Sequence, residues 1–143
     1  MNRGEKERSY LLSAEEKKTL ADALRTVLSG REEVLFAYLY GSVLGDLAVH
    51  DIDVGVYAAG VVEDAATVYA IDLSSALQAV SSIPVDVRVI NCAPLPFQYK
   101  ALRGELLFER DDDARVSFTE QVTRGYLDIE PLLLRSFKEA FAA

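Results

Sequence analysis

Residues 34–57 read VLFAYLYGSVLGDLAVHDIDVGVY, and two different patterns meet in them. Residues 34–40 are β-branched, aromatic or aliphatic without a break, as in a buried strand. Gly41-Ser42 ends that run, and the segment to His50, with Gly45 inside it, reads as a loop or a single helical turn. From Asp51 the sequence alternates. Ile52, Val54 and Val56 face one side, and Asp51, Asp53, Gly55 and Tyr57 face the other. Two carboxylates two residues apart on a strand project from the same face. They repel unless one is protonated or a cation lies between them. Hard divalent cations such as Mg²⁺ take carboxylate and phosphate oxygens, so Asp51 and Asp53 suit a metal–triphosphate complex. Gly41 lets backbone approach phosphate oxygens closely, and Ser42 adds a hydroxyl donor at the start of a turn.

Upstream, Ser13 and Glu16 form a capping box that opens a helix running to about Leu28 and stopping at Ser29-Gly30. Downstream, residues 64–80 have helical spacing, with Ala65, Val68, Ile71, Leu73 and Leu77 expected inside. Pro84 introduces a third strand over 85–90, where Val85, Val87 and Val89 alternate with Asp86 and Arg88. Asp86 is then a candidate third ligand, or the acceptor of a proton from an attacking hydroxyl. Its plainer reading is an ion pair with Arg88.

A short helix is expected over 94–103, a turn at Gly104 and a strand over 105–109. Asp111, Asp112 and Asp113 suit the positive end of the next helix, whose packing stripe is Ala114, Phe118, Val122, Gly125 and Ile129. Pro131 is expected to kink or interrupt it, leaving residues 131–143 as a C-terminal helix. There Leu133, Phe137 and Phe141 make one apolar stripe that fits either the core or a partner.

At 143 residues, half of them hydrophobic, the chain fits one domain spanning 1–143. The first residues lead into no signal-peptide core and no apolar run is long enough to span a membrane, so a cytoplasmic protein with no membrane partner is expected. One cysteine, Cys92, excludes an internal disulfide and a thiolate zinc cluster. One histidine, His50, with no nucleophile motif beside it, argues against a Ser-His-Asp apparatus and reads as solvated. Tyr38 and Tyr40 read as core. The net charge of −8 argues against a direct nucleic-acid surface, because phosphate neutralisation needs clustered Lys and Arg. Nucleotide binding through metal ions stays compatible with it. Tyr99, Lys100 and Arg103 form a small cationic-aromatic group that fits either an ATP contact or a solvated face.

The order strand-Gly-Ser, Asp-x-Asp strand, Asp strand resembles the signature of the minimal nucleotidyltransferases of the polymerase-β-like superfamily. The downstream segment from Asp86, with its Asn91, APLP helix, Gly-led strand and long helix, is similar to their second half. The likeness runs from about Val34 to Leu134 and is strongest to the MntA-type antitoxins. It implies an α+β fold, a mixed sheet flanked by helices. It also implies transfer of AMP from ATP to a tyrosine of a HEPN-domain ribonuclease toxin, with two Mg²⁺ ions. By position, Gly41 and Ser42 match the triphosphate-binding pair, and Asp51, Asp53 and Asp86 the catalytic, metal-binding carboxylates. The chain departs from its relatives in three places. The spacing from Ser42 to Asp51 is shorter, Val43-Leu44 stand where an arginine is frequent, and His50 replaces a serine. An antitoxin acting by contact alone, a nucleotidyltransferase acting on a small molecule, and a homo-oligomer also fit the sequence.

Overall fold

The computed structural model describes residues 9–45 and 48–140. The N-terminal residues 1–6, Asp46 and Leu47 of the loop, and Phe141 of the C-terminal stripe lie outside the described residues. Helix α1 spans Ala14–Ser29 and opens on the capping box read from sequence. The Glu16 N–H donates to Ser13 Oγ at 3.1 Å and the Ser13 N–H to Glu16 Oε1 at 3.2 Å. Strand β1 is Val34–Tyr40, a 3₁₀ turn covers Gly41–Leu44, and strand β2 is Ile52–Ala58. Helix α2 (Glu63–Gln78) crosses to strand β3 (Val85–Val89). Helix α3 (Leu95–Leu102), strand β4 (Glu105–Glu109) and helix α4 (Asp112–Ala140) complete the chain.

The sheet has the order β3-β2-β1-β4. β1 is antiparallel to β2 and β4, whereas β2 and β3 are parallel. The fold is therefore α+β with a mixed sheet. The parallel pair needs a crossover connection, and α2 supplies it. Each face of the sheet carries its own apolar cluster. One joins Leu24 and Leu28 of α1 and Leu73 and Leu77 of α2 to Ile52, Val54 and Val56. The other joins Phe36, Tyr38 and Tyr40 of β1 to Ile90 and Ala101, with Phe97 and Phe118 packed against them. Burying a leucine such as Leu24 or Leu73 contributes about 1.5–3 kcal/mol. Two arginines fasten β4 and its exit to the rest. Arg25 Nε donates to the Leu107 carbonyl at 2.6 Å. Arg110 donates to the Val34 and Ser29 carbonyls at 3.1 and 2.9 Å, the latter capping the end of α1.

Two expectations are corrected. In α2 the buried stripe is Ala66, Tyr69, Ala70, Leu73 and Leu77, while Ala65, Val68 and Ile71 are exposed. Steps of three and four from Leu73 and Leu77 lead back to Tyr69 and Ala66, so two large exposed residues had misplaced the helix phase. Pro131 lies inside one continuous helix. A proline removes a single backbone donor, and the turns on either side carry α4 onward. The α4 stripe is as expected, with Val122 buried and Ala114, Phe118, Gly125 and Ile129 partly so. Among the described residues no helix is long and apolar enough to cross a membrane.

Gly104 joins α3 to β4, and a Cβ there would run into the carbonyl oxygen of Leu39. That neighbour is backbone of the central strand and has no rotamer to escape into. Gly104→Ala should cost roughly 1–3 kcal/mol in urea unfolding, against about 1 kcal/mol for Ser13→Ala, which removes the cap. Equal midpoints for Gly104→Ala and wild type would refute this packing.

Candidate active site

Asp53, the second residue of β2, is placed by two registers. Across the antiparallel pair it faces Tyr40, and across the parallel pair it faces Asp86. All three side chains therefore rise on one face, the face of the aromatic cluster. Asp51 comes just before β2, half-buried like Asp53, whereas Asp86 is exposed on the edge strand β3. The Ser42 hydroxyl donates to the Asp51 carbonyl at 3.4 Å, a long bond that ties the turn to the start of β2. Gly41 has φ +82°, and a Cβ at that position would collide with the Asp53 carboxylate. Glycine is thus required there twice, for its backbone conformation and for the space Asp53 occupies. The structure brings Gly41, Ser42, Asp51, Asp53 and Asp86 together at one end of the sheet.

Electrostatics follow from this crowding. Burial pushes the Asp53 carboxyl up to about 6 from its ordinary 3.8, and the Asp51 and Asp86 charges push in the same direction. Lys100 and Arg88 oppose them. The Tyr40 phenol is also held well above its ordinary range, by burial first and then by Asp53 and Asp86. Tyr40 packs as core, as its sequence suggests, yet it also belongs to the site's wall. Finding that in the sequence would have required the β1–β2 register.

Three clustered carboxylates with a glycine turn against them form a donor set that fits a hard divalent cation. Their oxygens do not converge tightly. Among the described residues the only trio of possible ligands within 4.8 Å of one another is Asp111, Asp112 and Asp113, exposed at the start of α4. There Asp111 accepts the Ala114 N–H at 3.0 Å and acts as a helix cap.

The other sequence candidates take different places. His50 is exposed. Cys92 is partly buried, donates to the Val61 carbonyl at 3.3 Å, and burial raises its thiol pKa, all consistent with packing. Asp86 makes no ion pair with Arg88, whose guanidinium lies over the Phe97 ring at 4.9 Å. Tyr99 stacks on Tyr126 with ring centroids 3.9 Å apart, and the Arg103 guanidinium lies 5.6 Å from the Tyr99 ring centroid. Asn91, noted in sequence only as part of the resemblance, clamps the end of β2. Its amide accepts the Ala58 N–H at 3.0 Å and donates to the Ala58 carbonyl at 2.9 Å.

With this geometry in view, the family described as polymerase beta, nucleotidyltransferase matches residues 22–113. The chain is similar in structure to a tri-AMPylated Shewanella oneidensis HEPN toxin in complex with MNT antitoxin. The TM-score is 0.71 at 16% identity, covering 88% of this chain and 99% of that one. It is similar to the toxin–antitoxin MntA–HepT, with TM-score 0.70, 15% identity and coverage of 87% and 99%. A toxin–antitoxin with AMP-PNP gives TM-score 0.71, 17% identity and coverage of 85% and 98%. At these identities the likeness is one of fold. A search of curated proteins finds no significant match.

The raised Asp53 carboxyl has a definite consequence for the metal-free protein. Its folded pKa lies above its unfolded one, so the folded state binds the proton more tightly. That stabilisation is complete below about pH 4 and is lost as pH rises through 6. In EDTA, Asp53→Asn should therefore melt above wild type at pH 8, and the gap should narrow steadily towards pH 4. A gap that does not vary with pH would remove this account of Asp53.

Proposed function

Since this chain belongs to the polymerase beta nucleotidyltransferase family, we propose that it is an antitoxin that transfers AMP from ATP to a tyrosine hydroxyl of a HEPN-domain ribonuclease toxin, neutralising it. The observation that carries this is the register placing Asp86 beside Asp53 with Gly41 against the same carboxylate. The fold it shares with HEPN–MNT complexes, one of them tri-AMPylated, supports the choice of acceptor.

In this reading Asp51, Asp53 and Asp86 hold Mg²⁺, two ions in the full complement, which when bound neutralises and aligns the triphosphate. Gly41 leaves room for phosphate oxygens beside Asp53, and Ser42 lines the same turn. The acceptor oxygen attacks the α-phosphorus, the bond from that phosphorus to pyrophosphate breaks, and Asp86 takes the phenolic proton. Asp86 suits that task because it is exposed and lines a groove of about 770 Å³ between α2 and β3, open to an incoming side chain. Positioning supplies most of the rate in such a site.

The same reading places toxin contact on the end of α4. Every residue from 131 to 140 is exposed there, including Leu133 and Phe137. A second reading, inhibition by contact alone, draws support from the turn Gly41–Leu44, which has no cationic side chain.

The reaction is checked by incubating the chain with Mg²⁺, ATP and a candidate HEPN-domain toxin, and weighing the toxin. Addition of AMP to a tyrosine is expected, and Asp51→Asn with Asp53→Asn should abolish it while leaving the fold intact. Asp86→Asn should lower turnover far more than ATP affinity. Neutralisation without added mass would establish the contact reading instead. In the same assay Leu133→Asp with Phe137→Asp should weaken toxin capture and spare ATP binding. Loss of ATP binding and fold together would return that stripe to the core.

A further inference from the structure

The turn Gly41–Leu44 carries no charge, yet the site it borders holds three carboxylates. A triphosphate brought here meets like charge on every side except where cations stand. Two basic side chains face this end of the sheet. Arg88 follows Asp86 by two residues on β3, opposite Gly55, so it rises on the same face as Asp53 and Asp86. Its guanidinium rests over the Phe97 ring at 4.9 Å, and Phe97 packs edge-on against Tyr40 at 5.6 Å. The guanidinium is thus one ring away from Tyr40, the residue paired with Asp53. Lys100 lies three residues after Phe97 on α3, on the same side of the helix. A Cβ at Gly55, opposite Arg88, would touch Ala101, and Ala101 packs with Tyr40, so the helix that carries Lys100 lies over the carboxylate face.

Among the described residues no ion pair engages Arg88 or Lys100. Two other basic residues are held by oxygen partners. Lys17 donates to the Gly45 carbonyl at 2.8 Å and holds the turn from α1, and Arg115 pairs with Glu109 at 2.7 Å.

We propose that Arg88 and Lys100 bind the β- and γ-phosphates of the nucleotide, supplying from β3 and α3 the positive charge that the Gly41–Leu44 turn lacks. This rests on the nucleotidyltransferase reading above. The planar guanidinium grips two phosphate oxygens at once, and the ammonium acts as a movable point charge. Held on the leaving pyrophosphate, both would also stabilise the charge that collects there as the bond to the α-phosphorus breaks.

The test is calorimetric titration of the full chain with Mg–ATP and with Mg–pyrophosphate. Arg88→Gln with Lys100→Gln should weaken both by at least about tenfold, through the loss of charge-assisted hydrogen bonds to the phosphates. The conservative pair Arg88→Lys with Lys100→Arg should recover most of that loss. Lys100→Gln alone, at an exposed position, serves as a variant that keeps its fold and should show part of the effect. ATP and pyrophosphate affinities within twofold of wild type in the glutamine pair would overturn the inference. So would a conservative pair as weak as the glutamine pair. If the wild-type chain itself binds no ATP, the nucleotidyltransferase reading fails and this inference falls with it. If wild type binds ATP and transfers AMP while the glutamine pair does so equally well, this inference alone is lost.

Discussion

The repulsion among Asp51, Asp53 and Asp86 is the constraint around which this protein is arranged. Left to themselves three carboxylates would separate or protonate, and here the sheet prevents separation. Asp53 is fixed between Tyr40 and Asp86 by ladders on both sides. β3, which carries Asp86, runs parallel to β2, and a parallel neighbour cannot be reached by a tight turn. The crossover helix α2 is thus a requirement of this pairing. Leu73 and Leu77 on its inner face pack on the side of the sheet away from the carboxylates. The apolar half of the fold holds the charged half in place.

The aromatic face shows how the opposing forces are balanced. Phe36, Tyr38 and Tyr40 line β1, and Phe97 and Phe118 close over them from α3 and α4. Such a wall lowers the local dielectric, which raises the Asp53 carboxyl and the Tyr40 phenol together. Burial therefore makes the empty site less comfortable for charge and strengthens its attraction for a cation. The cost stays local, because no buried side-chain oxygen or nitrogen among the described residues lacks a partner.

Much of this was legible in the sequence wherever a local rule was sufficient. The Ser13–Glu16 box, the unbroken apolar run of β1 and the alternation of β2 and β3 each follow from residue spacing alone, and they brought Asp51, Asp53 and Asp86 into view. The phase of α2 was harder to read. Val68 and Ile71 are large and apolar yet exposed, so composition pulled the helix face the wrong way. Pro131 misled for a related reason, since a proline's local penalty says nothing of the turns that carry a helix past it. Tyr40 was not legible as part of the site's wall because that place depends on the register of β1 with β2. An acceptor and a nucleotide entered only as expectations of the resemblance, since spacing alone names neither.

The same registers also separate the carboxylates by depth. Asp53 stands inward, half-buried with the Gly41 backbone against its carboxylate. Asp86 lies one strand outward, exposed, at the mouth of the groove between β3 and α2. Among the described residues β3 is the edge of the sheet, so no further strand covers that side. One pairing of strands thus gives neighbouring carboxylates different access, the inner walled by Tyr40 and Gly41 and the outer open to solvent.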